Sequence, residues 1–182
     1  MNLMRFVKLA FAVLIAYWSI PLFTLNGIQA QELGYNLPLS LLLGATLMFH
    51  EAGHILFMFF GEFMHVLGGS LLQLLIPIIC VATFIYQGAR YGAGFSLYWL
   101  GASAINLSFH IADSQAQLLQ LIPNDSLHDW HLILDSMHLL TYDATIARVV
   151  LLAGSAAVLT GIIVMVYAAF KEDASNEPIS WE

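Results

Sequence analysis

His50, Glu51 and His54 form an HExxH motif. Two histidines four residues apart share one face of a helix, where two imidazoles can grip a single metal ion. The glutamate beside them is placed to take a proton from metal-activated water, whose pKa zinc lowers to about 7. Cys80 is the only cysteine, so an internal disulfide and a cysteine-based zinc cluster are excluded. Any metal donors must come from His, Asp and Glu. The motif also lies within an apolar run, residues 38–60. An ionised side chain deep in a bilayer costs roughly 2–3 kcal/mol or more, so such groups usually mark function. The competing reading is a polar cluster that only packs helices together.

A catalytic zinc site needs a third protein donor and one open position. Trp99, Ser103, Asn106, His110 and Asp113 recur at i+4, i+3, i+4 and i+3, which makes a polar stripe on one helical face. Such a stripe in a membrane helix should face the bundle interior. Asp113 is the first candidate for the third ligand, His110 the second and His128 the third, with an ordinary helix-end carboxylate as the alternative for Asp113. Asn106 could orient a ligand, donate to an oxyanion or pack helices. Gln73, one turn after Gly69, is a candidate substrate-backbone contact or helix–helix hydrogen bond.

The elements that must position these groups are membrane helices. The chain is 60% hydrophobic and only 9% charged, with a mean hydropathy of +0.81. A soluble domain carries about 25% charged residues, so lipid must be the main solvent here. Five apolar stretches have spanning length: residues 7–25, 38–60, 66–86, 91–112 and 147–170. The expectation is an all-α polytopic bundle with about five transmembrane helices in a single domain over residues 1–170. A polar, acidic and disordered tail follows over 171–182. The first stretch, behind Arg5 and Lys8, reads as a retained helix rather than a cleaved signal peptide. The net charge of −7 offers no basic surface for nucleic acid. The distribution of Arg5, Lys8 and Arg148 against Arg90 and Lys171 slightly favours a cytoplasmic N-terminus. The expected location is the bacterial cytoplasmic (inner) membrane.

The long connection, residues 113–145, carries a helix of its own. Ser126 and Asp129 read as a capping box after Pro123, Asn124 and Asp125. Trp130, Ile133, Leu134 and Met137 then fall on one face, and His128, His131, Asp135 and His138 on the other. This predicts an interfacial amphipathic helix whose polar face is solvated; a second metal site is the sharper alternative.

FHEAGHILFMFFGEF resembles the HExxH helix of the site-2 protease family of intramembrane zinc metalloproteases, and NLSFHIAD (106–113) resembles that family's Asn-initiated motif ending in Leu-Asp-Gly. The likeness covers about residues 39–114 and places the two motifs two helices apart. It implies zinc held by His50, His54 and Asp113, with Glu51 as the general base for peptide hydrolysis in the membrane. The departures are concrete: the family's prolines between Asn and Asp are absent, the spacing is one residue shorter, and Ser114 replaces the glycine. The link GEFMH is too short for the family's substrate-presenting β-hairpin. The expected function is therefore an intramembrane zinc metallohydrolase cleaving membrane-embedded peptides. The alternatives are a non-catalytic metal-binding membrane protein or complex subunit, and a bundle without metal.

Overall fold

The structure, a computed structural model, describes residues 3–119 and 128–171. Ser126 and its proposed cap, and the tail beyond Lys171, lie outside the described residues. Within them the chain is helical throughout, with no strand. α1 (Leu3–Trp18) and α2 (Ile20–Thr24) form one apolar rod broken at Ser19. Pro21 has no amide to continue the ladder of α1, and Ser19 Oγ donates to Ile15 O at 2.5 Å. α3 (Gly27–Leu33) starts on a reciprocal cap, with Asn26 Oδ1 accepting from Gln29 N at 2.9 Å and Gln29 Oε1 from Asn26 N at 3.1 Å.

α4 (Leu37–Phe57) carries HExxH. Its cap, Asn36, accepts from Leu39 N at 3.2 Å and donates to Trp18 O at 2.8 Å, tying the start of α4 to the end of α1. A 3₁₀ turn (Met58–Phe60) and Gly61, at φ +98°, reverse the chain into α5 (Glu62–Tyr86). α6 (Arg90–Ala112), the short α7 (Asp129–Ser136) and α8 (Asp143–Lys171) complete the described chain.

α6 and α8 form the closest pair. Gly94 and Gly101 of α6 meet Gly161 and Gly154 of α8, and a Cβ on Gly101 would fall 2.6 Å from Gly154 O. Close approach of small residues lets the two helix backbones pack tightly. Around this seam Tyr98, Ala102, Ile105, Val158 and Met165 form the main core, closed by Ala12, Ile15, Leu22 and Leu39.

Four helical segments are long and apolar enough to cross a membrane: Leu3–Thr24, Leu37–Phe60, Glu62–Tyr86 and Leu140–Lys171. The fifth expected span, α6, is a 23-residue helix but is not among them. Its serines, Asn106 and His110 dilute the apolar content. It is also the most enclosed helix, with eleven buried residues against three in α4. Its polarity is thus turned inward. The expected amphipathic helix is shorter than its pattern, with His128 as N-cap and an end at Ser136. Ile133 and Leu134 of its apolar face are buried, Trp130 is partly buried and Met137 is exposed.

Candidate metal centre

The hairpin of α4 and α5 is held together where glycines meet. Gly53 and Gly68 face each other so closely that a Cβ on Gly68 would sit 2.6 Å from Gly53 O. One residue further, a Cβ on Gly69 would fall 2.6 Å from His54 Nε2 and 2.8 Å from His50 Nε2. Glycine at 69 therefore makes the room in which both imidazoles lie. His65, Gly69 and Gln73 follow one another at four-residue spacing on α5, so they share the face opposite His50 and His54.

Three donor atoms converge there. His50 Nε2 and His54 Nε2 are 3.1 Å apart, and Asp129 Oδ2 lies 3.0 Å from the first and 3.2 Å from the second. Zinc bonds of about 2.0–2.1 Å in a tetrahedral shell separate donors by roughly 3.3–3.4 Å. The triangle falls within a few tenths of an ångström of that spacing, and two imidazoles with one carboxylate are a suitable donor set for zinc. The residues present fit the ion. Among the described residues this is the one cluster of three or more such donors that could hold a metal.

The surrounding contacts orient each donor. His50 Nδ1 lies 3.0 Å from Gln73 Oε1, and Gln73 Nε2 donates to Ser103 O at 3.3 Å. His54 Nδ1 lies 2.9 Å from His65 O, and His65 Nδ1 donates to His54 O at 2.8 Å. Trp130 Nε1 donates to Ser70 Oγ at 3.1 Å, and His131 Nδ1 donates to Ser114 O at 2.8 Å. These bonds, with buried Ile133 and Leu134, seat α7 against α5 and the end of α6.

The carboxylate that the structure brings to His50 and His54 is that of Asp129, and Asp113 lies outside the group. α6 ends at Ala112, and the turn behind it uses Asp113 as its acceptor: Oδ1 takes Leu118 N at 2.9 Å and Oδ2 takes Leu119 N at 2.8 Å. His128 Nδ1 stands 3.8 Å from Asp113 Oδ2, so this histidine faces Asp113 rather than joining the triangle. His110 also stays out of the donor group. His128, His131, Asp135 and His138 form no second donor group among the described residues, and Asp135 and His138 are exposed.

A cavity of about 410 Å³ opens beside the triangle. Its wall includes His50, Glu51, Gln73, Asn106, His110 and His128, and it runs along α4 past Thr46 and Gly44 towards Tyr35. The polar stripe of α6 reaches the same region. Trp99 Nε1 donates to Thr46 Oγ1 at 2.8 Å, Ser103 Oγ is 3.4 Å from that hydroxyl, and Asn106 and His110 line the cavity itself. The site lies towards one end of the bundle rather than at its middle, since His54 is in the last turn of α4.

No family model, no curated protein and no solved structure matches this chain. Asp129 was visible in the sequence only as part of a helix cap beside His128. Its one signal was a carboxylate in the first turn of a His-rich helix, a position that the helix dipole favours for any acid.

Proposed function

We propose that this chain is an integral-membrane zinc hydrolase, a peptidase acting on membrane-embedded peptides, with His50, His54 and Asp129 as zinc ligands. The observation that carries the reading is the convergence of three donor atoms, all within 4.8 Å of one another, at a cavity that Glu51 also lines. Zinc in such a shell supplies Lewis acidity, which polarises a carbonyl and makes water a nucleophile near neutral pH. Glu51 is the general base: its carboxylate takes a proton as water adds to the peptide carbonyl carbon. It returns that proton to the amine nitrogen as the C–N bond breaks. Asn106, on the cavity wall, donates to the oxyanion that develops on the carbonyl.

In this reading α6 crosses the membrane as a fifth, lipid-shielded helix and α7 lies at the interface. The chain sits in the bacterial cytoplasmic membrane with its N-terminus inside. The site-2 protease likeness supports the HExxH role. The donor set keeps that family's His, His, Asp composition but draws its carboxylate from α7. A second reading, a metal-binding subunit without catalysis, is favoured by the turn between α4 and α5. Only a 3₁₀ turn and Gly61 separate these helices, which leaves no strand edge there to hold an extended substrate.

Glu51→Gln separates the two. On the hydrolase reading, the purified variant keeps its zinc and loses cleavage of co-reconstituted transmembrane peptides by at least about 100-fold. Cleavage at the wild-type rate by the Glu51→Gln protein rules hydrolysis through Glu51 out.

A further inference from the structure

An imidazole binds metal through the ring nitrogen that carries no proton, so its other nitrogen must hold the proton. The HExxH spacing brings the two rings together but does not choose between their nitrogens. In this chain α5 makes that choice for both. Ser103 O can only accept, so the Gln73 amide must turn its NH₂ towards it, at 3.3 Å. That leaves Gln73 Oε1, an acceptor, 3.0 Å from His50 Nδ1. Gln73 is only 5% exposed, so its amide relies on these partners for its hydrogen bonds. For His54 the partner of Nδ1 is the His65 main-chain carbonyl at 2.9 Å, again an acceptor only.

Resting on the metal-site reading above, we propose that the His65–Gly69–Gln73 face of α5 locks both histidines as Nδ1–H tautomers. Gln73 is the positioning residue for His50, and the His65 carbonyl serves His54. Both Nε2 lone pairs then face Asp129 Oδ2 at 3.0 and 3.2 Å with no proton of their own to share. Three acceptors so close together repel one another until a cation joins them. The arrangement is preorganised for metal before metal arrives. The His65 ring completes the clasp from the other side, donating from Nδ1 to His54 O at 2.8 Å. That carbonyl lies in the last turn of α4, where main-chain acceptors lack helical partners.

Two substitutions and two readouts test this in the full-length protein in detergent. Gln73→Leu removes the acceptor at similar size, whereas Gln73→Glu keeps an acceptor against His50 Nδ1. Histidine ¹⁵N shifts of the metal-free protein should show His50 and His54 as Nδ1–H forms, with His50 changing tautomer only in the Leu variant. Chelator competition should show zinc affinity falling about 10–100-fold for Gln73→Leu and staying within about 3-fold for Gln73→Glu. The proposal is overturned if Gln73→Leu binds zinc as wild type does. Equal losses in both variants also overturn it, because position 73 would then matter only for packing. Failure of the wild type to bind zinc would remove the metal reading, while the metal-free tautomers would still decide the role of Gln73.

Discussion

Asp113 closes α6 and Asp129 opens α7, so two carboxylates flank the same connection, and their surroundings differ sharply. Both oxygens of Asp113 accept main-chain amides of the turn, from Leu118 and Leu119. Asp129 turns one oxygen to two imidazoles and lies in the first turn of a helix. The difference shows what frees a carboxylate to bind metal. A chain leaving a helix must find acceptors for its next amides, and an aspartate at the exit supplies them. An aspartate in a first turn sits against a favourable dipole and need not satisfy the turn before it. One carboxylate is occupied by the fold, and the other is available to a ligand.

The largest expected effect comes from exchanging their fates. Asp129→Ala should lower zinc affinity by more than about 100-fold, beyond the loss typical of an orienting neighbour. Asp113→Ala should leave zinc affinity within a few-fold and instead lower thermal stability, by about 1–3 kcal/mol for one buried and one half-buried amide losing their acceptor. Chelator competition and melting in detergent read the two effects separately. The reverse pattern would restore the ligand assignment that the site-2 protease likeness implies.

Next in size is Gly69→Ala. Its Cβ would fall 2.6 Å from His54 Nε2, so the imidazoles must move while the helices stay packed. Zinc affinity should drop about 10-fold or more, as for other losses of ligand orientation, with helical content by circular dichroism unchanged. A fully zinc-competent Gly69→Ala protein would contradict the geometry of the pocket.

The smallest effect concerns how α7 is seated. Ser70→Ala removes the acceptor of Trp130 Nε1, a bond of 3.1 Å. One such bond contributes about 1 kcal/mol, so zinc affinity should fall about 5-fold at most. A change in Trp130 fluorescence on zinc loading should be weakened in parallel. A loss as large as that of Asp129→Ala would mean that α7 holds its place through this bond alone.

Features with local signals were legible in the sequence. Apolar length located the four helices long and apolar enough to cross a membrane, and the i, i+4 pair His50 and His54 does lie on one face. The stripe on α6 was legible for the same reason, because Trp99, Ser103, Asn106 and His110 repeat at helical spacing. The fifth stretch was less clear, since α6 is enclosed by α8 and α5 and carries polar groups that lower its apolar content. Asp129 was out of reach. Its place depends on how the chain returns after Leu119, and only the docking of Trp130, His131, Ile133 and Leu134 brings it to α4. Gln73 was singled out as a substrate-backbone contact or helix–helix hydrogen bond, but its partners could be named only once Ser103 O and His50 Nδ1 were seen on its two sides.

The most direct test of the metal centre is anomalous diffraction at the zinc edge from crystals of the zinc-loaded protein. A single peak is expected, bonded to His50 Nε2, His54 Nε2 and an Asp129 oxygen, with Asp113 still accepting the amides of Leu118 and Leu119. A peak bonded to Asp113, with Asp129 turned away from the histidines, would contradict the assignment.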